Sequence, residues 1–165
     1  MKFKNFILGF LIIGALGTLC HFVYKWSGNN TIIGYFNPVN ESTWEHLKLL
    51  FFPTLLFSAF EYFLMKEKPN NFPFIVALSL FIGLLSIVTI FYTYSGILGF
   101  KIEWFNIAIY YIALFIMLIA KAILSKINFK NKAVNIISLL WIFIMSLMFV
   151  FATYNPLDLG IFEEP

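Results

Sequence analysis

Arginine is absent from the 165 residues, and all 11 basic residues are lysine. Charge of either sign is scarce: 12% of the chain, against about 25% in an ordinary soluble domain. That is too little to coat a water-facing surface, so the soluble globular class is excluded. A single cysteine, Cys20, cannot build a disulfide framework, and a hydrophobic content of 61% rules out intrinsic disorder. The chain contains no glycine-rich phosphate loop, no CxxC and no HExxH, and no internal repeat of the inverted-repeat transporter kind. The missing arginine, together with abundant Lys, Ile, Phe and Asn, is the bias an AT-rich coding sequence imposes, and it carries no functional weight.

What is present in quantity is long apolar runs. A helix crossing the hydrocarbon core needs about 20 mostly apolar residues. Five stretches qualify, at residues 6–23, 47–65, 74–94, 104–124 and 133–154. They lack the apolar/polar alternation of membrane barrel strands and are about twice too long for them. The expectation is an all-α, multi-pass membrane protein: one domain of five transmembrane helices with a longer loop at 24–46. Ala15-Leu16-Gly17 resembles a leader cleavage site, but the apolar run continues to Val23, which predicts a retained first span. Leu19 before Cys20 is not small, which argues against a lipoprotein cysteine.

Lysine placement orients the spans. Lys2, Lys4, Lys66, Lys68, Lys121, Lys126, Lys130 and Lys132 fall at one end, and only Lys25, Lys48 and Lys101 at the other. Positive charge in short loops stays cytoplasmic. The N-terminus is therefore expected inside and the C-terminus outside, in the cytoplasmic membrane. Glu41, Glu45, Glu103, Asp158, Glu163 and Glu164 fall on the outer side, consistent with that orientation. The net charge of +3 then reflects orientation and contact with anionic lipids rather than nucleic acid.

Unusual residues concentrate in the first loop, YKWSGNNTIIGYFNPVNESTWEH, with His21 and His46 at its two ends. Three readings stand side by side. In the first, Ser42-x-x-Glu45 is a capping box, Glu41 and Glu45 complement the helix dipole, and Trp44 anchors at the headgroup level with Trp26, Trp104, Tyr92, Tyr94 and Tyr154. In the second, Glu41, Glu45 and Lys48 share a helical face beside a Ser42/His46 stripe. His21, Glu41, Glu45 and His46 then supply the imidazole and carboxylate donors of a zinc-type site, catalytic if water completes it. Glu41, Glu45 and His46 would be its acid, base or water-activating groups. In the third, no metal is involved. His21, Tyr24, Trp26, Asn40, Glu41, Ser42, Trp44, Glu45, His46 and Lys48 form a pocket for a small polar molecule or headgroup, walled by Tyr24, Trp26 and Trp44.

Within the spans, Glu61 is expected to reach the interface or pair with Lys66 or Lys68, and Lys121 to snorkel to the interface. Pro53 should kink its helix, and Gly9, Gly14 and Gly17 offer close approach to a neighbour. Midplane ionisable residues are nearly lacking, which counts against ion or proton transport. Five spans enclose a small interior, which favours association with a second copy or a membrane partner protein besides the lipids themselves.

The residues His21, Tyr24, Trp26, Ser27, Gly34, Pro38, Val39, Asn40, Glu41, Ser42, Trp44, Glu45, His46 and Lys48 resemble a family of small integral membrane proteins, mostly from Firmicutes. That family is classed as a domain of unknown function and is marked by PVNESxWEHxK. The ending NPLDLGIFEEP is similar to its outer tail, with Glu164 where an aspartate is expected. This resemblance implies an architecture and no activity. Asn40-Glu41-Ser42 followed by His46 also resembles a motif of the progestin-receptor and alkaline-ceramidase superfamily of membrane metal hydrolases. That superfamily has seven spans and further histidines late in the chain, whereas none follows His46 here. On these readings the function is binding of a polar ligand, headgroup or partner at the outer face, with a metal-dependent hydrolase as the alternative.

Overall fold

The computed structural model describes residues 3–164, apart from the side chains of Phe3 and Glu103. Lys2 and the Glu103 side chain, both used above for orientation, lie outside the described residues. Among those residues there are six helices and no strand: α1 (Phe3–Trp26), α2 (Thr31–Gly34), α3 (Thr43–Leu64), α4 (Phe72–Leu98), α5 (Glu103–Leu124) and α6 (Lys132–Tyr154). All but α2 are long and apolar enough to cross a membrane. Each of the five long helices starts before its apolar stretch, because helix geometry extends into the residues that precede the run. Most consequentially, α3 begins at Thr43 rather than near residue 47, so Trp44, Glu45 and His46 are helical while Glu41 is not.

Local chemistry sets these boundaries. Asn30 caps α2 by accepting from the Ile32 and Ile33 N–H groups, and Asn131 caps α6 by accepting from Val134. Pro73 sits in the first turn of α4, where its missing N–H costs nothing, and α4 stops at Gly99 in the left-handed conformation, φ 75°. Helix α3 packs against α1, α4 and α6, and α4 packs against α3, α5 and α6. Pro53, buried within α3, cannot donate to the Leu49 carbonyl one turn back. That carbonyl points at α1, where a Cβ on Gly17 would lie 2.5 Å from it and would overlap the Tyr110 hydroxyl. Tyr110, from α5, donates to the Ile13 carbonyl at 2.9 Å. Gly17 is thus the point at which α1, α3 and α5 meet, and Gly9 and Gly14 are less tightly met.

The end of the bundle carrying the C-terminus of α1, α2 and the N-terminus of α3 also receives the tail after α6. The Trp44 N–H donates to the Ile161 carbonyl at 2.9 Å, and Tyr92 donates to the Gly160 carbonyl at 3.1 Å. The Trp44 ring packs between Phe149 and Phe162, with centroids 4.8 and 4.9 Å away. It is 7% exposed. The expected headgroup anchor is a core residue instead, because the tail covers it. Trp26 and Trp104, each 69% exposed, are left largely uncovered at that end.

Candidate ligand site at the histidine end

Two helices and one loop converge here. His21 is near the end of α1, His46 lies in the first turns of α3, and Glu41 is in the turn just before α3. That turn is built locally. Asn40 Oδ1 accepts the Ser42 N–H at 3.0 Å, and Ser42 Oγ accepts the Glu45 N–H at 3.3 Å. Only this half of the expected capping box forms. The Glu45 carboxylate does not return to Ser42, whose N–H Asn40 already holds.

The imidazole rings of His21 and His46 have centroids 5.3 Å apart. His46 Nδ1 lies 2.9 Å from the Ser42 carbonyl, which can only accept, so Nδ1 carries a proton and donates it. Its other nitrogen, Nε2, faces Glu41 Oε2 at 3.3 Å. With Nδ1–H spent on Ser42, the Nε2–Glu41 contact is satisfied either by a second imidazole proton, as an ion pair, or by a cation held between a neutral imidazole and the carboxylate. His21 Nδ1 is shielded from solvent and has no hydrogen-bond partner among the described residues. One donor atom from each of His21, Glu41 and His46 lies within 4.8 Å of the others. Lys25 approaches the far oxygen of Glu41 at 3.9 Å, across an exposed surface where such a pair is worth little. The hydrogen bond from His46 holds the Glu41 carboxyl below the usual carboxylate range, and partial burial opposes it.

Glu45, expected to be a fourth ligand, is not brought to this group. It faces inward at 2% exposure, where Oε2 accepts from Lys48 Nζ at 2.7 Å and from the Val39 N–H at 3.0 Å. Glu41 and Glu45 part company because the helix starts between them, so the expected common face with Lys48 does not exist. Lys48 is fully buried. All three of its protons are used: on Glu45, on Thr153 Oγ1 of α6 at 2.6 Å and on the Gly34 carbonyl of α2 at 3.1 Å. Glu45 and Lys48 thus tie the 31–42 segment, which carries Glu41, to the helices beneath it.

The remaining expected pocket residues are dispersed. Trp26 stacks on Phe22, outside the cluster. Tyr24 borders Gly34, and Trp44 lies under the tail, so the three aromatic residues do not wall one cavity. Asn40 and Ser42 are spent on the turn. A cavity of about 620 Å³ opens elsewhere, between Tyr35 and the α6 residues Ile144, Leu147, Met148 and Phe151, and it is apolar. The residues assembled for chemistry are therefore His21, Glu41 and His46, with Ser42, Glu45 and Lys48 as their support.

At the opposite end, a second buried pair escaped sequence reasoning. Lys121 of α5 does not snorkel. Its Nζ contacts Glu61 Oε2 at 2.6 Å and Ser58 Oγ at 3.2 Å, with the Phe57 and Phe72 rings 5.4 and 5.9 Å away. Glu61 accordingly pairs with Lys121 rather than Lys66 or Lys68, since the long Lys121 side chain reaches across from α5 to Ser58 and Glu61 of α3. Sixty positions separate the partners, and no local spacing signals the pairing.

Among curated proteins and among solved structures, nothing matches the chain. Its whole length, residues 1–165, matches a family of unknown function, DUF6512, and the chain belongs to that family.

Proposed function

We propose that this is a multi-pass protein of the cytoplasmic membrane, N-terminus inside, that binds a small cationic or hydrogen-bond-donating ligand at its outer boundary. The observation that carries this reading is the gathering of ligand atoms at the histidine end. One ring nitrogen from each of His21 and His46 and a Glu41 carboxylate oxygen, brought from two helices and a loop, lie within 4.8 Å of one another, and His21 Nδ1 has no hydrogen-bond partner among the described residues. The orientation is supported by the lysines left over once Lys48 and Lys121 are set aside as buried. Lys4, Lys66, Lys68, Lys126, Lys130 and Lys132 lie exposed at one end, against Lys25 and Lys101 at the other. The alternative expected from the sequence, a metal-dependent hydrolase using His21, Glu41, Glu45 and His46, has less support. Glu45 is committed to Lys48 and Val39 and is not free to act on water.

Two measurements test the proposal. Cysteines introduced within 29–37 should react with an impermeant maleimide added outside intact cells, and cysteines within 128–132 should not; the reverse pattern overturns the orientation. In detergent, zinc chloride or phosphoethanolamine should raise the melting temperature of the wild type and not of Glu41→Gln. No shift with either probe overturns the binding reading.

A further inference from the structure

We propose that the ligand is a divalent transition-metal ion of the zinc class, held by a ring nitrogen of His21, His46 Nε2 and one Glu41 carboxylate oxygen, with at least one coordination position left open. The inference rests on the binding reading above and names its ligand class. Four features of the site point the same way.

The tautomer of His46 is fixed by the Ser42 carbonyl, which is the outer-shell partner that metal-bound histidines commonly have on their distal nitrogen. The 3.3 Å between His46 Nε2 and Glu41 Oε2 matches the ligand-to-ligand edge of a zinc tetrahedron, about 3.3–3.4 Å for bonds of about 2.0–2.1 Å. A shared proton would also satisfy that pair, but it engages only two of the three gathered groups, whereas an ion between them serves all three. Two imidazoles and one carboxylate are a borderline donor set that suits zinc and its neighbours. Calcium or magnesium would call for more oxygen ligands.

The supports are rigid where they need to be. His21 and His46 stand on α1 and α3, which are held at close approach through Gly17 and the Leu49 carbonyl. Glu41 stands on the turn before α3, and that segment is fastened below by Glu45 and Lys48. Three protein ligands leave room for water or a substrate atom on the ion, the arrangement of an open rather than a closed structural site. The ion would thus face the outer boundary with an exchangeable position.

The test uses full-length protein purified in detergent without a polyhistidine tag, stripped with EDTA and titrated with zinc chloride. Binding is read by calorimetry, and the ligand-field spectrum is read with cobalt(II). Wild type should take up one ion per chain with a tetrahedral cobalt spectrum. His21→Ala, His46→Ala and Glu41→Gln should each weaken binding by more than the roughly 10–100-fold that loss of an outer-shell partner costs. Glu41 lies in an exposed turn outside the helices, so Glu41→Gln remains decisive where a histidine variant does not fold. Zinc uptake that Glu41→Gln leaves unchanged overturns the assignment. If wild type takes up no zinc but phosphoethanolamine still raises its melting temperature and fails to do so in Glu41→Gln, the metal is refuted and the binding reading stands. If neither ligand acts, both fall.

Discussion

Replacing Lys48 by methionine keeps the length and apolar stem of the side chain and deletes its charge. The variant loses three hydrogen bonds at once, to Glu45, Thr153 and the Gly34 carbonyl. It also strands the Glu45 carboxylate, 2% exposed, with the Val39 N–H as its remaining hydrogen-bond donor. Breaking a buried pair in this way costs about 3–5 kcal/mol, because the surviving charge is neither solvated nor compensated. For a chain of this size that corresponds to a fall in melting temperature of roughly 6–20 °C. Thermal unfolding in detergent, followed by intrinsic tryptophan fluorescence, measures it. The diagnostic comparison is Glu45→Gln/Lys48→Met, which removes the stranded charge while leaving an acceptor for Val39. The double variant should be more stable than Lys48→Met alone. Because the pair fastens the 31–42 segment, amide exchange there should also quicken in the single variant. A melting temperature within about 2 °C of wild type for Lys48→Met, or strict additivity in the double variant, would refute the reasoning.

Three further outcomes follow from the packing. Gly17→Ala should destabilise by about 1–3 kcal/mol, since the new methyl group meets the Leu49 carbonyl and the Tyr110 hydroxyl, while Gly96→Ala, which meets nothing, should not; comparative melts of the two variants decide it. Glu61→Gln and Lys121→Met should each lower stability and the double variant should recover part of the loss; if the two groups reached the interface separately, the effects would be small and additive. In a variant retaining Trp44 as its sole tryptophan, Phe162→Ala should move the emission to longer wavelength, because the tail ring that covers the indole is gone.

Sequence alone placed the five apolar helices and sorted the lysines to one end. Transfer of a helix from water to hydrocarbon depends on a sum over its own residues, so the signal survives without knowledge of any neighbour. His21 and His46 were legible as a pair for a related reason: consecutive antiparallel helices bring the ends of one loop together. What each polar residue does there was not legible. Glu41 and Glu45 are four residues apart and chemically alike, yet one faces His46 and the other is sealed against Lys48, because α3 begins between them. Trp44 has the character of an interfacial anchor and is buried because Phe149 of α6 and the residues after α6 enclose it. Glu61 and Lys121 meet across sixty positions with nothing in either neighbourhood to announce it. Burial and pairing of a charge are relations between distant parts of the chain. Hydropathy is a property of each segment, so the sequence determined the five long apolar helices and the tertiary structure alone decided which charges are buried in pairs and which are left near the surface.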